Sequence, residues 1–246
     1  MTDAVRTLKE WTDAARKIVF FGGAGVSTES GIPDFRSTGG LYHQEWKYPP
    51  ETILSHTFYK SNPEEFFRFY RAKMLCPAAK PNAAHKKLAE LEQAGRLLAV
   101  VTQNIDGLHQ MAGSRNVLEL HGSVHRNICR SCGAVYDAEW VMMTNGIPHC
   151  DKCGGMVKPD VVLYEESLSE DVLTRSISAI ASADLLIVGG TSLVVYPAAG
   201  LLRYFQGDSL VLINRDATQM DKMADLCIRD AIGAVMEQIQ VPEKEA

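Results

Sequence analysis

The sequence has no run of lysine and arginine residues, and its formal net charge is −5 at pH 7. A surface that binds nucleic acid through phosphate contacts needs a basic patch, so we expect no sequence-specific nucleic-acid partner. The first seventeen residues lack the apolar core of a signal peptide, and Val5, Leu8 and Trp11 fall on one face of an amphipathic helix. We therefore expect a cytoplasmic protein.

Long apolar segments are also scarce. Residues 185–202 form a stretch of eighteen residues without a charge, long enough to suggest a membrane span. Residues 189–192 (Gly-Gly-Thr-Ser) and Pro197 interrupt it, and such residues break helices. The pattern predicts a buried strand, a loop and the start of a helix, and we expect no membrane partner.

Cysteine is infrequent, with six residues in the chain, but four of them follow a metal-binding pattern. Two C-x2-C pairs are separated by seventeen residues, which is the spacing of a four-thiolate structural zinc site: Cys129, Cys132, Cys150 and Cys153. Two disulfides or four free thiols are the alternatives. His149 is adjacent to Cys150, which is poor geometry for a further ligand. Cys76 and Cys227 stand alone, which fits a reducing compartment.

Short apolar runs alternate with helical patterns along the chain. The predicted strands cover residues 17–21, 97–102, 117–120, 161–164, 184–188 and 209–213. A helix is predicted from Asn82 to Ala94 with Gly95 as its stop, and another begins at Asn62-Pro63. This alternation indicates an α/β fold with a mostly parallel sheet that is covered on both faces, and ligands bind such sheets beyond the carboxyl ends of their strands.

Composition divides the chain into three parts. Residues 37–80 are rich in aromatic residues and proline and are expected to form a helical insertion, and residues 125–158 are expected to form the zinc module. The remaining segments, residues 1–36, 81–124 and 159–246, are expected to form one nucleotide-binding domain.

A glycine-rich turn, Gly22 to Ser27, follows the first predicted strand. Glycines at this place let the backbone approach a pyrophosphate, although a tight turn without a ligand is the alternative. A dehydrogenase would carry an acidic residue at the end of a second strand about twenty residues later. Glu45 lies inside the irregular insertion instead, which argues against that class.

Polar residues follow several of the other strands, and the motifs GAGxSxxSGIPDFR, TQNID, HG, two C-x2-C pairs and GTS occur in this order. With these motifs the chain resembles the sirtuin family of NAD-dependent protein deacylases over residues 17–235. The resemblance implies a Rossmann-like domain, a small zinc ribbon, and a cleft that binds NAD and an acyl-lysine peptide. It also implies that NAD is consumed: nicotinamide leaves, the acyl oxygen attacks the ribose, and the acyl group ends on ADP-ribose.

The resemblance implies catalytic roles for His121, as the base on a ribose hydroxyl, and for Asn104 and Asp106 around the nicotinamide. An imidazole titrates near neutrality, which suits that base. A hydrogen-bonded structural histidine and a polar turn are the respective alternatives. The other NAD contacts implied are Gly23, Ala24, Gly25, Thr28, Ile32, Phe35, Arg36, Gln103, Ile105, Thr191, Ser192, Asn214, Arg215 and Ile232. Phe35 is expected to shield the reacting centre from water.

The substrate peptide is expected to add as a strand between two segments, Val161, Val162, Leu163 and Tyr164 on one side and Val194, Val195 and Tyr196 on the other. The family commonly has Phe-Gly-Glu where this chain has Tyr164-Glu165-Glu166, and Glu165 would favour basic residues beside the target lysine.

A second departure concerns the acyl group. Relatives that prefer negatively charged acyl chains carry Tyr-x-x-Arg, whereas this chain has Tyr70 and Lys73, and lysine lacks the planar two-pronged carboxylate contact of arginine. We therefore expect a deacetylase that acts on acetyl-lysine proteins. We also expect the protein to be a monomer. The alternatives are a desuccinylase or demalonylase, a protein ADP-ribosyltransferase, and a non-catalytic NAD or ADP-ribose sensor, although a sensor would not need His121.

Overall fold

The structure is a computed structural model, and it describes residues 2–241. The first residue and residues 242–246, which the expected nucleotide-binding domain includes, lie outside the described residues. The α-helices are α1 (Asp3–Ala14), α2 (Pro50–Ile53), α3 (His56–Ser61), α4 (Pro63–Phe69), α5 (Ala83–Gln93), α6 (Leu108–Ala112), α7 (Ala138–Met143), α8 (Glu170–Ser182) and α9 (Ile232–Met236). The strands are β1 (Ile18–Gly22), β2 (Leu97–Thr102), β3 (Val117–Glu119), β4 (Gly122–Cys129), β5 (Val135–Tyr136), β6 (Val157–Val161), β7 (Leu185–Gly189), β8 (Ser209–Ile213) and β9 (Leu226–Ile228).

The larger sheet is parallel, with the order β3-β2-β1-β7-β8-β9. All five residues of β1 and of β7 are buried, because helices cover both faces of the sheet. Along β1, Ile18 and Phe20 join the core under α1, α5 and α9, whereas Val19 and Phe21 join the core under α8. This alternation is the period of two expected of a strand, and the α/β class predicted from the sequence is confirmed.

The strand order changes direction at β1 and β7. From β1 the chain builds outward to β2 and β3, and the later strands β7, β8 and β9 build outward on the other side. The parallel strands therefore end at one edge of the sheet with a crevice between the loops after β1 and β7. A crevice of this kind is where open α/β sheets bind nucleotides.

Local signals explain the predicted helix boundaries. The side chain of Asn82 accepts hydrogen bonds from the first turn of α5, and Gly95 follows that helix with a left-handed φ of +74°. Pro63 begins α4 after Asn62, and the amphipathic N-terminal segment is α1, which buries Val5 and Leu8.

The prediction of a strand at residues 161–164 is wrong. The strand there is β6, which ends at Val161, and Tyr164 makes only an isolated bridge to Ser55. In β6 the buried residues Val157, Pro159 and Val161 alternate with half-exposed ones, because this strand belongs to an antiparallel sheet with one covered face. Residues 161–164 form a continuous apolar run, whereas the buried residues of β6 alternate, so the run indicated a strand at the wrong place.

The smaller sheet has the order β5-β4-β6 and spans Gly122 to Val161. A third core, which includes Phe66, Phe67 and Tyr70 of residues 37–80, packs against Val124 and Val141 of this region. Both insertions therefore contribute to one apolar core beside the large sheet. The division of the chain into a nucleotide-binding domain, a helical insertion and a zinc module stays a prediction.

Within residues 2–241, no helix combines the length and the apolar character that crossing a membrane requires.

Candidate active site

A cavity of about 490 Å³ lies at the carboxyl ends of β1, β2, β7 and β8 and extends to the segment after β6. It brings together residues from parts of the chain that are far apart in the sequence. The sequence-predicted residues that line it are Gly23, Ala24, Gly25, Thr28, Ile32, Phe35, Arg36, Gln103, Asn104, Ile105, Asp106, His121, Val161, Val162, Leu163, Tyr164, Thr191, Ser192, Val195, Tyr196, Asn214, Arg215 and Ile232. Val194 does not line this cavity and is 42% exposed.

The glycine-rich turn after β1 packs directly on the loop after β7. A Cβ atom on Gly25 would lie 2.8 Å from the Cα of Gly190 and 2.9 Å from its carbonyl oxygen. The amide of Gly25 donates to that same oxygen at 2.8 Å. Since both contacting groups are backbone, glycine is required here for the close approach of the two loops as well as for room beside a ligand.

His121 lies between the end of β3 and the start of β4, and its ring faces the cavity. Its Nδ1 is 2.9 Å from the carbonyl oxygen of Gln103. A carbonyl can only accept, so Nδ1 carries the proton and Nε2 is left as the basic nitrogen. Burial lowers the pKa of His121 below its ordinary value, against the opposing effect of the Gln103 carbonyl. The ring is therefore a neutral base near neutral pH.

Asn104 and Asp106 are joined through Ser27, a residue that the sequence analysis did not select. The Ser27 hydroxyl donates to Oδ2 of Asp106 at 2.6 Å and accepts from Nδ2 of Asn104 at 3.1 Å. The other carboxylate oxygen of Asp106 accepts from the amide of Leu108 at the start of α6. Ser27 is 1% exposed and is the last residue of the glycine-rich turn. Its place in that turn is the sequence feature from which a role in the site could have been predicted.

The two sides of the strand-order change are linked by side chains. Nε2 of Gln103, after β2, donates to Oγ1 of Thr191, after β7, at 3.1 Å. The amide of Thr191 donates in turn to Oδ1 of Asn214, after β8, at 3.0 Å. These contacts fix the loops of three strands against each other and leave Ser192 and Arg215 exposed at the cavity.

The segment after β6 forms the opposite wall of the cavity. The amide of Val162 donates to the carbonyl oxygen of His121 at 3.0 Å, which ties this wall to the backbone of His121. Glu165 has a left-handed φ of +75°, and its carboxylate accepts from the amide and the hydroxyl of Thr57 at 2.9 and 2.7 Å. These contacts lower the pKa of Glu165. The Glu165 carboxylate is therefore already hydrogen-bonded to Thr57 of α3.

The residues expected to decide acyl preference lie apart. Lys73 lines the cavity, where its Nζ donates to Oε1 of Gln44 at 2.7 Å. The side chain of Tyr70 is fully buried in the aromatic core, and Tyr70 does not line this cavity. Tyr70 and Lys73 therefore form no pair that faces an acyl group.

The four cysteines predicted to bind zinc come together at the end of the smaller sheet. The Sγ atoms of Cys129, Cys132, Cys150 and Cys153 all lie within 4.8 Å of one another. The separations are 3.5 Å between Cys129 and Cys153 and 3.6 Å between Cys132 and Cys150. Four sulfurs at the usual zinc–sulfur distance of about 2.3 Å are about 3.8 Å apart in a tetrahedron, so these residues fit zinc.

Two equivalent turns position the sulfurs. The amide of Gly133 donates to the carbonyl of Cys129, and the amide of Gly154 donates to the carbonyl of Cys150, at 3.0 and 2.8 Å. Both glycines have left-handed φ values, +74° and +73°. Nδ1 of His149 instead contacts the carbonyl of Gly154, which agrees with its exclusion as a ligand.

Comparison with known proteins agrees with the resemblance seen in the motifs. A model described as the Sir2 family matches residues 23–197. A protein of Clostridium acetobutylicum named NAD-dependent protein deacetylase is 60% identical over 97% of this chain and 99% of its own length.

Solved structures give the same result. A structure of Sir2 with a p53 peptide and NAD+ is 38% identical and superposes with a TM-score of 0.84 over 97% of both chains. Another, of a Sir2 variant with a deacetylated p53 peptide and 3'-O-acetyl ADP-ribose, is 39% identical with a TM-score of 0.86 over 94% of this chain and 95% of the other. The chain therefore belongs to the Sir2 family, the sirtuins.

Proposed function

We propose that this sirtuin is an NAD-dependent protein-lysine deacetylase that transfers the acetyl group to ADP-ribose and releases nicotinamide. The observation that carries the proposal is the single cavity that His121, Asn104 and Asp106 share with the glycine-rich turn and the wall after β6. The relative from Clostridium acetobutylicum and the structures solved with NAD+, peptide and acetyl ADP-ribose support it.

His121 acts as the general base. Its Nδ1 proton is held by the Gln103 carbonyl, so Nε2 is oriented into the cavity and accepts a proton from a ribose hydroxyl. The lowered pKa keeps this nitrogen unprotonated at neutral pH. A sensor of NAD would need the glycines and the adenosine contacts but would have no use for a neutral imidazole at this place.

Asn104, Asp106 and Ser27 act as a unit that receives the nicotinamide half of NAD. Ser27 holds the amide of Asn104 and the carboxylate of Asp106 relative to each other through its two hydrogen bonds. Both groups then have capacity left for the carboxamide and the ribose hydroxyls of NAD. Ala24, Ile32, Phe35 and Ile105 would supply the apolar part of this pocket and exclude water from the reacting carbon.

The acyl-lysine peptide binds beside the wall after β6. Backbone groups of residues 161–164 and 194–196 would pair with an extended peptide, which gives affinity with little dependence on sequence. Acetyl-lysine is the preferred substrate, because Lys73 is already hydrogen-bonded to Gln44, the Arg71 guanidinium donates to residues 141–146, and Tyr70 is buried elsewhere.

Zinc has a structural role. Cys129, Cys132, Cys150 and Cys153 occupy all four positions of a tetrahedral site, so no position is left for water or substrate. The four cysteines would hold zinc between the turn after β4 and the turn before β6, and the bound metal would stabilise the smaller sheet. That sheet carries the wall after β6, which makes zinc an indirect requirement for peptide binding.

We further propose a cytoplasmic monomer. The unpaired thiols of Cys76 and Cys227 and a zinc-thiolate site suit a reducing compartment. The monomeric state is a prediction from the sequence, and light scattering of the zinc-loaded protein measures it directly.

Incubation of an acetyl-lysine peptide with the protein, with and without NAD, tests the activity by mass spectrometry. We expect loss of the acetyl group only with NAD, together with nicotinamide and O-acetyl-ADP-ribose. A parallel reaction with radiolabelled NAD separates the alternatives, because label that stays on protein would instead show ADP-ribosyl transfer. A succinyl-lysine peptide in the same assay measures acyl preference, and His121→Ala is the control that retains the fold.

A further inference from the structure

A hydrogen bond between two tyrosines joins the two walls of the cavity. The hydroxyl oxygens of Tyr42 and Tyr164 lie 2.6 Å apart. Tyr42 belongs to the loop of residues 34–43, which also carries Phe35 and Arg36, whereas Tyr164 belongs to the wall after β6. The sirtuin pattern commonly has phenylalanine at the position of Tyr164, and phenylalanine has no hydroxyl. This bridge is therefore a property of this chain that the family pattern does not supply.

The Tyr164 end of the bridge is firmly anchored. Its amide donates to the carbonyl of Leu54 at 2.9 Å, and its carbonyl accepts from the amide of His56 at 3.0 Å. The neighbouring Glu165 accepts two further hydrogen bonds from Thr57. Four hydrogen bonds to residues 54–57 therefore fix the backbone at Tyr164 and Glu165. The Tyr164 hydroxyl extends from this fixed backbone.

The Tyr42 end is coupled to the loop over the cavity. The ring of Phe35 meets the ring of Tyr42 edge-on, with centroids 5.7 Å apart, and the guanidinium of Arg36 lies 5.2 Å from the centre of the Tyr42 ring. The amide of Tyr42 also donates to the carbonyl of Phe35 at 2.9 Å. Within the described residues, the other side-chain hydrogen bonds of residues 34–43 stay inside this loop. Displacement of Tyr42 would therefore move Phe35 and Arg36 with it.

We propose that the Tyr42–Tyr164 bridge is a positioning device that holds Phe35 over the reacting centre and so favours the acyl oxygen over water as the nucleophile. The inference rests on the proposed deacetylase function. When the acyl oxygen attacks the anomeric carbon, the bond to nicotinamide breaks and nicotinamide leaves. The amide bond of the acetyl-lysine then breaks with consumption of one water, which frees the lysine amine and leaves the acetyl group on a ribose oxygen of ADP-ribose. When water attacks instead, the same bond breaks and the products are nicotinamide, ADP-ribose and a proton, with the peptide still acetylated.

The bridge persists at physiological pH, since burial and the hydrogen bond from Tyr164 raise the pKa of Tyr42. One neutral hydroxyl donates and the other accepts. A neutral hydrogen bond at a partly exposed site lies in the lower part of the usual range, and its loss changes an equilibrium about two- to fivefold.

The test compares Tyr42→Phe, Tyr164→Phe and the double variant, with Tyr204→Phe as the matched control. The Tyr204 hydroxyl accepts from Arg203, and Tyr204 does not line this cavity. Two quantities are measured: hydrogen exchange of the amides of residues 34–44 in the free protein, and the ratio of ADP-ribose to O-acetyl-ADP-ribose with acetyl peptide and NAD. We expect each single variant to raise both quantities about two- to fivefold, and the double variant to equal the single ones.

Wild-type values in both single variants would overturn the proposal, as would additive effects in the double variant or equal effects in Tyr204→Phe. The two measurements separate two kinds of failure. If the wild-type protein formed no O-acetyl-ADP-ribose, the proposed function would fail, while the exchange comparison would still decide whether the bridge holds the loop. If the wild type deacetylated normally and the variants matched it, only the bridge would fail.

Discussion

Replacement of Ser27 by alanine removes the link between Asn104 and Asp106, the two polar residues of the proposed nicotinamide pocket. The hydroxyl is 1% exposed, donates to the Asp106 carboxylate at 2.6 Å and accepts from the Asn104 amide at 3.1 Å. In Ser27→Ala the buried Asn104 amide and the half-buried Asp106 carboxylate both lose this contact. Removal of one partner from a buried hydrogen bond costs more than the bond contributes, because the remaining group stays desolvated.

The magnitude follows from the two bonds. A hydrogen bond to a charged group contributes about 1.5–3 kcal/mol and a neutral one about 0.5–1.5 kcal/mol. We expect the free energy of unfolding of Ser27→Ala to fall by about 2–4 kcal/mol, as measured by urea denaturation of the zinc-loaded protein. We also expect kcat/KM for NAD to fall at least about tenfold, since a misplacement of Asn104 and Asp106 by a fraction of an ångström weakens a positioned reaction.

Ser182→Ala is the matched control. Its hydroxyl donates only to the carbonyl of Ala179 within α8, at an exposed site. We expect its stability and its kinetics to equal those of the wild type. Equal stability and equal kcat/KM for Ser27→Ala and Ser182→Ala would refute the reasoning, because the Ser27 bridge would then contribute nothing to either the fold or the site.

The remaining predictions concern the base, the metal and the glycine loops. Burial lowers the pKa of His121, and the neutral ring is the proposed base, so the midpoint of the acidic limb of the kcat/KM profile should lie below pH 6.5. A midpoint above that value would contradict the assignment. Cys129→Ala should lose zinc, measured by atomic absorption, and unfold at a lower temperature than Cys76→Ala, whose thiol lies outside the cluster. Gly25→Ala should reduce stability by about 1–3 kcal/mol through the clash with Gly190, and calorimetry that shows no change would exclude that clash.

Strands buried on both faces were the most predictable part of the fold. The sequence analysis located residues 97–102 and 209–213 with the bounds of β2 and β8, because such strands appear as continuous apolar runs between turn residues. The strands of the smaller sheet were harder to predict from the sequence. β4 contains His125, Arg126 and Asn127, and β6 alternates around Pro159, so neither shows a continuous run. The short edge strand β9 was missed for a similar reason, since three residues carry too little pattern.

Nearly all of the predicted NAD and peptide residues line the cavity, whereas contacts between distant segments were not predictable. Ser27 and Asp106 are 79 residues apart, and Tyr42 and Tyr164 are 122 apart. A single sequence contains no signal that pairs such positions. Glu165 shows the same limit. Its type suggested an interaction with basic residues of the substrate, and the fold directs its carboxylate to Thr57.

The most direct test of the account follows the acetyl group itself. A peptide with a carbon-13-labelled acetyl-lysine is incubated with the protein and NAD, and the labelled products are identified by mass spectrometry. The account predicts that the label appears in O-acetyl-ADP-ribose, with one nicotinamide released for each lysine freed. Label in free acetate without consumption of NAD would show simple hydrolysis, and it would contradict the central role given to His121, Asn104 and Asp106.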